Sequence, residues 1–187
     1  EDEEGSLLWR SAIPVMGLPH AIVVNRKGRR FANEAFYRSV YYAVDTIDGS
    51  SQTHPHFPCW IIFDSQLRDK YPCISIMPGQ DWPKGLGVVA DTIAGLAAAT
   101  GIDTQGILDT IARFNNYADE GVDPEFGRGT HPYSAWACGD PFHKPNPNLG
   151  TLAKPPFYAI PLQRVGGVGV PSSGLLIDQH CRIMDWD

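Results

Sequence analysis

The sequence predicts an α+β unit in which helices and short strands share one core, with no repeating βαβ pattern. Apolar residues make up 43% of the 187 residues and charged residues 19%, the balance of a chain that buries a core. Continuous apolar runs of strand length coexist with segments of helical period. Nineteen glycines and sixteen prolines divide these segments and predict long ordered loops.

The run HAIVV (20–24) reads as a strand leading into Asn25-Arg26-Lys27-Gly28, a turn with glycine where a positive φ is cheap. Residues 29–32 return from it, which predicts a β-hairpin. Asn33 is placed to cap a helix through Asp45, with Phe36, Val40 and Val44 on one face. The polar, proline-bounded stretch 48–58 reads as loop. CWIIF (59–63) is a buried strand, and a short helix follows Asp64. Asp91 opens a helix that Gly101 ends, and Asp103 caps a second that Gly121 ends. In the second, Ile107, Leu108, Ile111 and Phe114 form a stripe that should face the core. Residues 122–156 are proline-rich with little periodicity, yet hold Phe126, Tyr133, Trp136 and Phe142; a loop of that kind is draped over a core or lines a pocket. Short strands with glycine turns follow at 157–162, 164–170, 175–177 and 182–184.

Composition removes several function classes. A formal charge of −6 argues against a nucleic-acid or anionic-membrane surface, which needs a basic patch. No apolar run reaches the roughly 18–20 residues of a membrane span, and the opening EDEEGSLLWR is too acidic for a signal peptide. Cysteines 59, 73, 138 and 181 are scattered without a CxxC, the pattern of idle thiols in a reducing cytoplasm. His54 and His56 have a spacing metals use but no third ligand nearby, so a loop role outweighs a metal site. No GxGxxG follows a strand, and GxxxxGK[ST], HExxH, GxSxG and EF-hand patterns do not occur, so no nucleotide-phosphate cradle is legible. The strand-like 181–185 stops without a cap, which suggests a piece of a longer protein.

Three stretches carry a resemblance. GLPHAIVVNRKGRRFANEAFYR (17–38) resembles the segment that opens the capping domain of the fumarate reductase, succinate dehydrogenase and 3-ketosteroid dehydrogenase flavoproteins, with its N-[RK]-x-G-x-R-[FY] turn and N-E pair. ADTIAGLAAATGIDTQGILDTIARFNNYADEGVDPEFGRG (90–129) is similar to the same family's two cap helices and their D-x-x-F-G-R-G exit. KPPFYAIPLQRVGGVGVPSSGLLIDQHCRIMD (154–185) is similar to the segment that leads back toward the flavin. Together they cover about half of the chain. The resemblance implies a capping or substrate domain over 1–155, strands returning toward the flavin domain over 156–187, and flanking FAD-binding halves in a parent chain. FAD would then be the parent's cofactor, and the isolated fragment should be colourless and inactive.

The same resemblance supplies candidate site residues. In fumarate reductases the residue five after the asparagine of the N-E pair is an arginine that delivers the proton; here that position is Arg38. In the ketosteroid enzymes a tyrosine lies there, and this chain has Tyr37 one step earlier. Arg38 and Tyr37 are therefore the catalytic candidates; a guanidinium beside the flavin can hold a carbonyl or carboxylate oxygen and stabilise enolate charge. The competing reading pairs Glu34 with Arg38 at i, i+4 on a helix surface. Tyr133, Trp136 and Tyr158 are candidates for the substrate wall, with core packing as their alternative. Gly169, Val170, Ser172, Ser173 and Gly174 are candidates for bringing backbone N–H groups near the isoalloxazine ring. Arg128 reads as a structural arginine satisfying loop carbonyls.

Two further proton-relay positions of fumarate reductases, a glutamate and an arginine on the strand before the hairpin, correspond here to Pro14 and Gly17. The substrate-carboxylate histidine is also missing from 169–174. A C4 dicarboxylate would leave charge unpaired in such a pocket. The resemblance thus implies an apolar ketone or enone, and removal of a proton and a hydride from adjacent carbons beside the carbonyl, with FAD taking the hydride. A fumarate-reductase-like ene reductase and a non-catalytic ligand-binding or structural module remain the alternatives.

Overall fold

The computed structural model describes residues 11–163, 178, 180 and 182–184. Its frame is a four-stranded antiparallel sheet: β1 (Ala21–Asn25), β2 (Cys59–Asp64), β3 (Val88–Ala90) and β4 (Phe157–Leu162), in the order β1-β2-β4-β3. Ala21 lies opposite Phe63 across β1 and β2, and Ile62 opposite Ala159 across β2 and β4.

Both sheet faces are covered, and that explains the continuous apolar runs. Successive side chains alternate between two cores. Ile22 and Val24 of β1, Trp60 and Ile62 of β2, and Phe157 and Ala159 of β4 enter one core. It is completed by α4 (Ile93–Thr100) and α5 (Thr104–Glu120). Ala21 and Val23, Cys59, Ile61 and Phe63, and Tyr158 and Ile160 enter the other. That one is closed by α1 (Ile13–Met16), α2 (Tyr37–Asp45) and α3 (Ser65–Lys70).

Several expected elements form as read. Asp64 accepts from the Gln66 N–H at 3.0 Å and starts α3. Asp103 accepts from the Gly106 N–H and starts α5, which ends at Gly121. Gly28 carries the turn after β1 onto that helix: a Cβ there would lie 2.3 Å from the Ile107 nitrogen, so no side chain fits.

Other expectations are corrected. Residues 29–32 form no strand; the turn closes through Asn25 N–H to the Arg29 carbonyl at 3.0 Å, but β1 pairs with β2 instead, because the Arg30 side chain is drawn into the interior. Asn33 is no helix cap. α2 begins at Tyr37, Phe36 occupies the N-cap position without a capping side chain, and Phe36 itself is exposed while Val40 and Val44 are buried. Thr92 and not Asp91 caps α4, through its hydroxyl on the Gly95 N–H at 3.0 Å. The 122–156 stretch holds a helix, α6 (Pro132–Cys138), opened by proline at its first position. Pro14 lies inside α1 and Gly17 just after it, so the pre-hairpin strand is here a short helix. Neither the three-residue β3 nor α1 was legible in the sequence. The expected strands at 164–170 and 175–177 lie outside the described residues.

Leu108 is the exception in the α5 stripe. Ile107, Ile111 and Phe114 are buried, whereas Leu108 is 40% exposed. Its neighbour at 107 points into the core and the 100° step turns 108 away. Ile107→Ala should therefore cost about 2–5 kcal/mol and Leu108→Ala less than about 1 kcal/mol. Urea denaturation of both variants checks this; equal losses would contradict the assigned face.

Candidate active site on the α2 and α6 face

The segment before α2 is anchored by buried charge. Glu34, 1% exposed, accepts from Arg30 Nε and Nη2, both at 2.7 Å, and from the Val23 N–H at 3.2 Å. Arg128 Nη1 lies 3.2 Å from the same carboxylate. Arg30 Nη2 also donates to Asp123 at 2.7 Å. The Arg30 guanidinium sits between the Phe114 and Phe126 rings, 5.0 Å from each centroid. Arg128 donates to the Ala21 and Leu18 carbonyls at 2.7 and 2.8 Å, the structural role read for it from sequence.

Two guanidiniums thus face two buried carboxylates, and the group is close to neutral. Burial alone would raise the Glu34 carboxyl, but Arg30 and Arg128 outweigh it and hold it below the ordinary range. Asp123 is likewise lowered, burial being outweighed by Arg30. Burial opposes the charge on Arg30, and Glu34 with Asp123 overcomes it and raises the group. Arg128, fully enclosed, is lowered by burial.

This arrangement removes the helix-surface pair. Glu34 lies outside α2 and faces inward, so it does not meet Arg38. Arg38 is exposed on the first turn of α2, its Nε 3.3 Å from the Tyr37 hydroxyl oxygen. That hydrogen bond raises the guanidinium, with smaller contributions from Tyr42 and Tyr133. Tyr133 stands on α6, its ring centroid 6.3 Å from that of Trp136. Trp136 is 80% exposed. Arg38 is thus in direct contact with Tyr37, with Tyr42 and Tyr133 within electrostatic reach and Trp136 beside Tyr133 on α6; Tyr42 was not singled out from the sequence.

Tyr158 does not join that face. It is buried in the sheet, stacked on Phe63 at 5.0 Å and packed on Trp82 at 4.9 Å, so its alternative reading as core holds. Gly169, Val170, Ser172, Ser173 and Gly174 lie outside the described residues.

The histidine pair has loop partners: His56 Nδ1 lies 3.2 Å from Asn25 Nδ2 with its ring stacked on Phe31, and His54 Nδ1 lies 3.1 Å from the Thr46 carbonyl. Among the described residues, no group of three His, Cys, Asp or Glu side chains could hold a metal, and no helix is long and apolar enough to cross a membrane. Burial pushes the Cys59 and Cys73 thiols up to about 12, which leaves them unreactive.

The sequence reading missed the roles of Arg30, Glu34 and Asp123. A signal existed: the N-[RK]-x-G-x-R turn, the N-E pair and the D-x-x-F-G-R-G exit carry two complementary charges each way, in segments separated by some ninety residues.

Over residues 7–187 the chain matches the family described as FAD binding domain, and it belongs to that family, whose cofactor is FAD. It is 37% identical over 169 residues to 3-oxosteroid 1-dehydrogenase of Mycolicibacterium smegmatis, a match covering 81% of this chain and 30% of that protein. It is 34% identical over 171 residues to 4-oxocyclohexanecarboxylate 2-dehydrogenase of Sinomonas cyclohexanicum, covering 90% and 29%. The crystal structure of 3-ketosteroid delta1-dehydrogenase from Sterolibacterium denitrificans, in complex with 1,4-androstadiene-3,17-dione, is similar with a TM-score of 0.78 at 32% identity, over 96% of this chain and 34% of that one. The chain spans about a third of the length of these relatives.

The described residues do not by themselves fit the pyrophosphate of FAD. The N-termini of α4 and α5 are closed by Thr92 and by the Asp103 carboxylate, and an acidic cap opposes an anion where a helix would otherwise attract one.

Proposed function

We propose that this chain is the capping, substrate-facing domain of an FAD-dependent oxidoreductase that desaturates a carbon–carbon bond beside a ketone, and that its α2 and α6 face meets the substrate. The observation that carries the reading is the exposed Arg38 guanidinium in contact with the half-buried Tyr37, within electrostatic reach of Tyr133, on a frame similar to the steroid dehydrogenase. In this reading Arg38 holds the carbonyl oxygen and stabilises the enolate charge that develops there. Tyr37, in hydrogen-bond contact with it, is placed to handle the proton. Tyr133 and Trp136 form an aromatic wall suited to a flat apolar ring system, and Tyr158 supports the sheet beneath.

The cap would extend through β4, since that strand is paired to both β2 and β3; residues 164–187, including the 169–174 glycine bend, would lead on to the flavin domain of the parent chain. Free Cys59, Cys73 and Cys138 favour a reducing, cytoplasmic setting. Substrate choice follows from Pro14 and Gly17, which bring no charge to positions where a dicarboxylate would need it.

The test is turnover by the full-length flavoprotein. It should oxidise a cyclic 3-keto substrate and reduce fumarate poorly, while the 187-residue chain alone should be colourless and inactive. Efficient fumarate reduction would replace the apolar reading with the fumarate-reductase-like one, and stoichiometric flavin on the isolated chain would overturn the division into domains.

A further inference from the structure

We infer that Asn33, seated on the buried Arg30–Glu34–Arg128–Asp123 cluster, is a positioning residue for the Tyr37–Arg38 turn; the inference rests on the catalytic reading of that turn.

A helix normally fixes its own start through a capping side chain. α2 does not: Phe36 at its N-cap makes no side-chain bond. The direction of the first turn must come from the segment before it. Asn33 makes that connection in four ways. Its Oδ1 accepts from the Ala35 N–H at 3.0 Å, and its carbonyl accepts from the Phe36 N–H at 3.1 Å. Its own N–H donates to Ser39 Oγ at 3.2 Å, within the turn that bears Tyr37 and Arg38. Its Nδ2 donates to the Phe126 carbonyl at 3.3 Å, in the arm that also supplies Asp123 and Arg128.

The next residue, Glu34, is locked from three sides by Arg30, Arg128 and the β1 backbone. Only two residues then separate it from Tyr37. The cluster is charge-balanced and enclosed, and bonds of 2.7 Å from Arg30 to Glu34 and Asp123 tie it together, while Arg30 Nη1 and Arg128 Nε find no hydrogen-bond partner among the described residues. The result is a rigid block reaching the first turn of α2 through Asn33. Arg38, by contrast, is exposed and held only by its contact with Tyr37 among the hydrogen bonds described. A side chain held so lightly takes its aim from the backbone. A misplacement on the order of 1 Å at a reacting geometry can reduce turnover about 100-fold.

The experiment uses the full-length flavoprotein and reports kcat per bound flavin, KM and melting temperature. Asn33→Ala and Ser39→Ala should lower kcat about 10- to 100-fold with KM changed much less, and Ser39→Thr, which keeps the hydroxyl, should restore it. In an Arg38→Ala background the Asn33→Ala loss should largely vanish, since residues acting through one another are non-additive. Unchanged kcat per flavin in Asn33→Ala and Ser39→Ala, with or without a lower melting temperature, would reduce Asn33 to a structural role and overturn the inference. An undiminished Asn33→Ala loss in the Arg38→Ala background would also overturn it and leave the catalytic reading standing. Wild-type turnover in both Arg38→Ala and Tyr37→Phe would remove that reading and the inference with it.

Discussion

Glu34→Ala should destabilise the chain by about 3–5 kcal/mol, the loss expected when one partner of a buried ion pair is removed and its counter-charges stay behind. Arg30 and Arg128 would then face Asp123, with the partly exposed Glu125 carboxylate 3.8 Å from Arg30. Burial lets neither guanidinium reach water without opening the Phe114 and Phe126 packing around Arg30. Chemical denaturation measures the loss, and a change below about 1 kcal/mol would show that the arginines find other partners.

The same carboxylates set the acid limb of stability. Glu34 and Asp123 are held below the ordinary carboxylate range in the folded chain, so the unfolded chain takes up their protons first as pH falls. Their contribution is fully present above the unfolded values near about 4 and is lost as pH drops through the lower, folded ones. Glu34→Gln should therefore flatten the decline in stability below about pH 4, at lower stability throughout. An unchanged acid slope would assign the decline to other carboxylates.

Arg38→Ala should lower turnover of the full-length flavoprotein about 100- to 1000-fold, the usual loss when one donor to a developing oxyanion is removed. Flavin content and melting temperature should stay near wild type, because Arg38 is exposed and Glu34 is occupied elsewhere. Arg38→Lys keeps the charge and loses the planar fork, so it should recover only part of the activity. Wild-type turnover in a flavin-replete Arg38→Ala protein would take Arg38 out of the mechanism.

Local pattern accounts for what could be read ahead of the structure. Strands β1, β2 and β4, helix α5 with its Asp103 cap and the short helix after Asp64 follow from apolar period and capping chemistry, which act within a few residues. The family motifs pointed to Arg38 and Tyr37, the aromatic content of the 122–156 stretch pointed to Tyr133 and Trp136, and Arg128 was read correctly as a holder of carbonyls. Three features depended on residues far apart. The strand β1 chose β2 over the nearby 29–32 segment because Arg30 found Glu34 and Asp123 inside. α2 started four residues after Asn33 because Glu34 was pulled inward and Asn33 turned to Ala35 and Phe126. Tyr158 went to the core because Phe63 and Trp82 meet it there. The sequence by itself determined the class of fold, both ends of α5 and the family; tertiary structure decided strand partners, the start of α2 and which aromatic residues face outward, since a buried charge selects its partner by distance in space and leaves no period along the chain.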